Sequence, residues 1–320
     1  MRAAVTGGAG FIGSNLVDRL VASDADVLVL DDLSTGDEAH LDAARAEGAV
    51  FARVDVRDGP AVHRHLADFR PDVLFHLAAQ VDVRSSMSDP AGDAHTNVVG
   101  SLNVLAAAAR AGVRRVVNTS TGGAIYGESS VLPTPETEPA RPLSAYGLGK
   151  HTVERYGEWF AAAHGLEVVT LRYGNVYGPR QDPRGDGGVI AIFCDRALAG
   201  RAPVVYGDGR QTRDFVFVGD IVTANLVAAE AADLPHGVYN IGTGVEVDLL
   251  ALLDEVARAA GVPPLAPEFR PARAGEVTRS CLDVARARAE LALPPPTPLV
   301  EGLRATLDWM RDRDADGGRE

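Results

Sequence analysis

The feature that most constrains how this chain can fold is a glycine run set between a strand and a helix at the N-terminus. The short apolar stretch Ala3 to Thr6 leads straight into Gly7-Gly8-Ala9-Gly10-Phe11-Ile12-Gly13, and a helix-period segment, Ser14 to Leu20, follows. Glycines there permit a tight turn, close approach of backbone amides to a pyrophosphate and close packing of the helix, whose N-terminus faces the anion. Without its flanks the pattern is only a turn; between strand and helix it predicts a dinucleotide site in which Gly7, Gly10, Phe11, Ile12 and Gly13 take part. The next strand ends at Asp31-Asp32, about 20 residues further on, where a carboxylate can accept hydrogen bonds from an adenosine ribose. No lysine or arginine lies between Arg19 and Arg45. A 2'-phosphate would meet uncompensated negative charge, so the expected cofactor is NAD rather than NADP.

The rest of the pattern fits one fold class. Val27 to Asp31, Val50 to Val54, Val73 to Leu77, Arg115 to Thr119 and Val168 to Arg172 read as strands separated by helical segments. Apolar runs without in/out alternation belong to strands covered on both faces, hence to an α/β, doubly wound parallel sheet of the Rossmann kind. Beyond Tyr173 the pattern loosens into loops rich in Gly, Pro and Arg. Asp214 to Val218 and Val238 to Ile241 then read as strands returning to the main sheet. The expected organisation is a dinucleotide domain over 1–174, with 214–242 returning to it, and a smaller C-terminal substrate-binding lobe from 175–213 and 243–320. Pro294 to Pro298 reads as a stiff connector, and Arg311 to Glu320 as a loose, solvated end.

Composition narrows the partners. A formal charge of -13 over 320 residues offers nucleic acid and anionic membranes no general attraction. No stretch reaches the roughly 18 apolar residues of a membrane span, and no signal peptide is evident. Two cysteines, Cys194 and Cys281, stand far apart without ligand spacing, so neither a disulfide framework nor a metal site is expected, and a cytoplasmic setting fits.

The chemistry centres on Tyr146-Gly147-Leu148-Gly149-Lys150, placed after a Ser144 N-cap at the start of a helix running to about Ala163. The i to i+4 spacing puts phenol and ammonium on one helix face, one turn apart. Lys150 is the only lysine in a chain that otherwise uses arginine for its cations, which points to a need for an ammonium group. Bringing a phenol from about 10 to near 7 takes roughly 4 kcal/mol of preferential stabilisation of the phenolate; a lysine and a positive nicotinamide ring are the expected sources. Upstream, Thr119-Ser120-Thr121 ends a strand with hydroxyls able to orient a substrate oxygen, Thr121 preferred and Ser120 second. Asp55-Val56 and Leu77-Ala78-Ala79-Gln80 end two further strands with residues that let a cofactor approach. Trp159 and Phe160 read as packing, His76 as a buried strand residue, and Asp248 to Ala260 as an amphipathic helix.

These residues, with His76-Leu77-Ala78-Ala79, Asn97 and Tyr126-Gly127, resemble the extended short-chain dehydrogenase/reductase family over nearly the whole chain. Within it, Arg172-Tyr173-Gly174-Asn175-Val176-Tyr177-Gly178-Pro179-Arg180-Gln181 and Gly207-Asp208-Gly209 leading to Arg213-Asp214-Phe215 resemble the UDP-glucose 4-epimerases and close relatives. The resemblance adds Ser34, Thr35, Gly36, Asn97, Thr119 and Tyr173 to the cofactor set. It implies that Asn175, Val189, Ile190, Val204, Tyr206, Arg213, Arg273 and Glu276 line the nucleotide-sugar site, with Ser280 at a gate position where a small residue leaves room for an N-acetyl group. It also implies a homodimer through helices 91 to 111 and 145 to 163.

Two departures bear on the reaction. The 4,6-dehydratases of this fold carry an acidic pair after the catalytic threonine, and the UDP-glucuronate decarboxylases an acidic residue near the same strand end. Here the stretch is Gly122-Gly123-Ala124. The expected activity is C4 epimerisation of a UDP-hexose through a transient 4-keto sugar. Alternatives kept open are a UDP-glucuronate epimerase or decarboxylase, with Arg180 or Arg184 meeting the carboxylate; a nucleotide-sugar reductase or dehydratase; and a non-catalytic dinucleotide-sensing protein. The choice between UDP and dTDP stays open as well.

Overall fold

The structure is a computed structural model that describes residues 1–184, 188–232, 234, 236–272 and 277–317, with side chains to 313. Its centre is a parallel sheet of β1 (Arg2–Thr6), β2 (Asp26–Asp31), β3 (Val50–Arg53), β4 (Val73–His76), β5 (Arg115–Thr121), β6 (Glu167–Tyr173) and a seventh strand, Val238–Ile241. The spatial order is seventh strand, β6, β5, β4, β1, β2, β3. The order therefore reverses between β1 and β4, which makes the carboxyl ends of these two strands the topological switch point, the crevice at which open α/β sheets bind ligands.

Alternation within each strand feeds two cores. In β2, Val27 and Val29 pack with Leu16, Val17, Ile221 and Ala224 on one face, while Leu28 and Leu30 pack with Val62, Leu66, Val104, Leu105 and Phe160 on the other. Because both faces are covered, the strands read as unbroken apolar runs. A further core unites helices Val189–Leu198, Leu249–Ala260 and Leu299–Gly317 through Phe193, Leu252, Leu253, Leu303 and Leu307. Two strand pairs border it: Val204–Tyr206 with Glu268–Arg270, and Thr212–Arg213 with Val247–Asp248.

Some expectations need correction. Val238–Ile241 does join β6, but Phe215–Phe217 pairs with Asn175–Tyr177 in a separate two-stranded ribbon, since the edge of β6 is already taken. Helix Leu299–Gly317 carries the chain past Arg311, its inner face anchored upstream by Leu303, Leu307 and Met310, while Arg311 to Arg313 are exposed. Phe160 is core, whereas Trp159 is 53% exposed and touches only the edges of Phe160 and His164 among ring neighbours. No helix among the described residues is long and apolar enough to cross a membrane.

Candidate active site

The glycine run makes a cradle at the β1 carboxyl end. Gly7 takes a positive φ of 71°, and a Cβ there would stand 2.6 Å from the Ala78 amide nitrogen. A Cβ on Gly13 would collide with the Gly7 carbonyl. Helix α1 (Phe11–Val21) starts at Gly10 with no side-chain cap, leaving its first amides free to meet an anion. The Asp31 carboxylate accepts from the Ala9 amide at 2.9 Å and the Leu33 amide at 2.8 Å, fastening the cradle to the end of β2. Burial raises its pKa, and these two backbone bonds oppose the rise. Asp32 turns instead to Ser34, whose amide and hydroxyl donate at 2.9 and 2.6 Å. Gly36 packs on Ala9 and Asp31, a Cβ there reaching 3.0 Å from both, so the loop carrying Ser34 and Thr35 lies beside the cradle. These residues fit a dinucleotide.

One charge escaped the sequence argument. Arg53 reaches across from β3, its Nε donating to the Asp32 carbonyl at 3.2 Å, because parallel pairing sets Asp31 beside Arg53. Basic residues between positions 19 and 45 were thus not the whole inventory. Asp55 is held by Arg57 at 2.6 Å, and that hydrogen bond lowers its pKa; Val56 is buried. At the β4 end, Asn97 clamps the loop that follows Leu77, Ala78 and Ala79. Its Oδ1 accepts from the Gln80 amide and its Nδ2 donates to the Gln80 carbonyl, both at 2.9 Å.

Helix Ala145–His164 begins where Ser144 Oγ accepts the Gly147 amide at 3.1 Å, as the sequence predicted, and a second hydroxyl, Ser86 Oγ, accepts the Tyr146 amide at 3.1 Å. Lys150, 6% exposed, donates from Nζ to the Thr119 carbonyl at 3.1 Å. This brings the ammonium to the end of β5. Burial pushes Lys150 down to about 8, while Asp93 and Glu154 pull it upward. Burial and then Asp93 push the Tyr146 phenol up to about 12, opposed by a hydrogen bond with Thr121. The lowering expected from Lys150 is not delivered by the protein's own groups. Its ammonium is directed at a backbone carbonyl, and the phenol is desolvated beside a carboxylate.

The hydroxyls of β5 go separate ways. Thr121 Oγ1 accepts from the Ala124 amide at 3.2 Å and bonds the phenol. Ser120, on the opposite face of the strand, donates to Glu154 Oε1 at 2.5 Å inside the protein. Glu154 also takes Arg172 through Nε at 2.9 Å and Nη2 at 2.6 Å, and Arg172 Nη1 donates to Tyr126 Oη at 2.7 Å. The second choice for the catalytic hydroxyl is therefore committed to a buried network. Thr119 Oγ1 lies 3.2 Å from Tyr173 Oη, which accepts from Asn225 at 2.7 Å. His76, sealed between Thr6 and Ser101 hydroxyls, is pushed down to about 3 by burial.

On the substrate side, Asn175 Oδ1 is buried with no partner and is the only atom that a Cβ on Gly123 would approach, at 3.5 Å. Val189, Val204 and Tyr206 are partly buried. Ile190 is 1% exposed and packs in the lobe core beside Phe193 and Cys194. Arg213 Nη1 donates to the Thr212 carbonyl at 2.7 Å, and the Ser280 amide donates to the same carbonyl at 3.2 Å, bringing positions 213 and 280 together. Arg273 and Glu276 lie outside the described residues. Arg180 pairs with Asp18 at 2.6 Å and Arg184 with Asp182 at 3.0 Å, so both are engaged. No cluster of His, Cys, Asp and Glu able to hold a metal occurs among the described residues.

Sequence reasoning missed Asp93 and Glu154, the two carboxylates whose charge acts on Lys150. Each lies four residues from a residue already singled out, Asn97 and Lys150. That helical spacing was the available signal.

A cradle, a Tyr-Lys helix and a strand-end threonine on one doubly wound sheet define a class, and the family model of the NAD dependent epimerase/dehydratase family matches residues 3–242. The chain belongs to that family. It is 45% identical over 314 residues to the UDP-glucose 4-epimerase of Mycolicibacterium smegmatis, covering 98% of this chain and 99% of that one. The UDP-glucose 4-epimerase of Thermotoga maritima, solved with UDP-glucose, superimposes with a TM-score of 0.93 at 43% identity, covering 98% and 99% of the two chains. The Thermus thermophilus UDP-glucose 4-epimerase, solved with NAD, gives 0.89 at 42% identity, covering 97% and 99%.

Proposed function

We propose that this protein interconverts the C4 epimers of a UDP-hexose, UDP-glucose and UDP-galactose first, with the N-acetyl forms admitted by the small Ser280. The observation that carries the reading is the convergence of Tyr146, Lys150 and Thr121 beside the glycine cradle, with Ser120 turned away. The cradle and Asp31 would hold NAD, which when bound supplies a hydride acceptor and returns the hydride to the sugar. Thr121 holds the sugar O4 against the phenol. Tyr146, as phenolate, takes the O4 proton and later gives it back to the alcohol of opposite configuration. Lys150 would hold the nicotinamide ribose, and its ammonium together with the bound nicotinamide ring would supply the positive surroundings for the phenolate that the protein's own groups alone do not deliver. Between the two proton transfers the 4-keto sugar turns over while its nucleotide stays anchored in the lobe, with Asn175 and Arg213 among its contacts.

Gly122-Gly123-Ala124 supplies no acid, which weighs against dehydration and decarboxylation. Of the candidates for a uronate carboxylate, Arg180 pairs with Asp18 and Arg184 with its exposed neighbour Asp182. Residues 1–174 and 214–242 would serve the dinucleotide, and 175–213 with 243–320 the nucleotide sugar. Exposed Leu148, Tyr156 and Trp159 follow one stripe of helix Ala145–His164, with exposed Val99 on the neighbouring segment. They would meet a second copy of the chain. Cys194 and Cys281 are free thiols, in keeping with a cytoplasmic homodimer.

The test is incubation of the purified protein, without added cofactor, with UDP-galactose, UDP-N-acetylgalactosamine and UDP-glucuronate. UDP-glucose should form from UDP-galactose with no consumption of external NADH. Conversion of none of the three, or stoichiometric use of added reductant, would overturn the reading.

A further inference from the structure

Asp93 sits in the short helix Pro90–Ala94, between the loop after β4 and helix Ser101–Ala111. Its carboxylate is 3% exposed. Oδ1 accepts from Gln80 Nε2 at 3.0 Å and Asn97 Nδ2 at 2.9 Å, whereas Oδ2 is buried without a hydrogen-bond partner. That free oxygen faces helix Ala145–His164 at Gly149, where a Cβ would stand 3.4 Å away. Gly149 lies between Tyr146 and Lys150, so the turn carrying both passes directly over the carboxylate.

The surrounding charges single Asp93 out. Facing it are Lys150 and Tyr146 from the helix above and Asp89 from its own segment. Lys150 is faced in addition by Glu154 and by the neutral His76. Glu154 is already neutralised by the two-pronged Arg172, whereas no cation forms an ion pair with Asp93 among the described residues. A buried carboxylate with an idle oxygen is costly. Here its uncompensated field falls on the one lysine of the chain.

We propose that Asp93 is a positioning residue: its carboxylate, fixed by Gln80 and Asn97, keeps the buried Lys150 cationic and so sets the pH range over which the Tyr146–Lys150 pair works. Burial pushes the ammonium's pKa down, and the Asp93 charge opposes that push. Its role in turnover rests on the epimerase reading above; its effect on Lys150 does not.

Because Lys150 is the only lysine, protein labelled with 13C-lysine gives a single side-chain Cε resonance, and its pH titration reads this one group. The wild-type midpoint should fall near 8, and Asp93→Asn, which preserves size, should lower it by about one pH unit. An unchanged midpoint overturns the proposal. The wild type supplies a check independent of any variant: the same resonance should show a second, smaller inflection at acid pH as Asp93 takes up its proton, and its absence counts against the coupling. In turnover, Asp93→Asn should slide both limbs of the kcat/KM profile to lower pH, and Asp93→Ala should slide them equally with lower amplitude. Lost amplitude without a slide would make Asp93 merely structural. If the protein converts no sugar nucleotide, the resonance titration still decides whether Asp93 governs Lys150.

Discussion

The first two turns of helix Ala145–His164 and the turn that follows them face two very different settings. Tyr146 and Lys150 reach the carboxyl edge of β5, where they meet Thr121 and the Thr119 carbonyl. Glu154, one turn later, is sealed beneath the helix with Ser120 and Arg172. Thr121 and Ser120 are chemically alike neighbours, yet one opens on the crevice and the other closes a buried ion pair. The contrast teaches that at a strand end the face, more than the residue type, decides whether a hydroxyl takes part in chemistry or in cohesion.

Substitutions can break this contrast, beginning with the largest effect. Tyr146→Phe should cost roughly 10³–10⁴-fold in kcat while leaving the melting temperature and UDP-sugar binding unchanged; measurable turnover near wild type would remove the phenol from its role. Glu154→Gln strikes the other side, leaving the Arg172 guanidinium buried without its counter-charge. Chemical denaturation should register a loss of roughly 3–5 kcal/mol. The adjacent hydroxyls make the sharpest pair: Thr121→Ala should lower kcat about 10²-fold with stability intact, whereas Ser120→Ala should cost roughly 1–3 kcal/mol of stability and leave kcat close to normal in the protein that remains folded. Equal kinetic losses in the two would erase the distinction.

The smallest effect concerns acid. His76 stays neutral in the fold down to about 3, while the unfolded chain protonates it below about 6.5. The unfolded state therefore binds more protons as pH falls through this window, and stability should drop by up to about 1.4 kcal/mol per pH unit from this group. Stability of His76→Asn, compared with wild type at pH 7 and pH 5, should fall less over the same interval.

Much of the site was legible because its parts are contiguous or one helical turn apart. The glycine run, the Ser144 cap, and Tyr146 with Lys150 needed only local geometry. The strand pattern likewise revealed the parallel sheet, since both faces of each strand are covered. What the sequence hid depends on pairing across space. Arg53 enters the Asp32 neighbourhood through sheet register, and Phe215–Phe217 finds Asn175–Tyr177 because the edge of β6 is occupied. The engagement of Ser120 with Glu154 requires knowing which helix covers which strand face. The burial of Ile190 in the lobe core follows its phase on a short helix, a detail that two or three apolar letters in a row do not fix.

The backbone of Gly13 lies so near the Gly7 carbonyl that a single added methyl group has nowhere to go. On the proposed division of labour, cofactor loading would be separable from sugar recognition: Gly13→Ala would alter the entrance of one ligand while leaving the lobe that would receive the other in place. Such a variant would be a silent receptor, a protein on which nucleotide sugars can be weighed against one another at equilibrium without being consumed during the measurement.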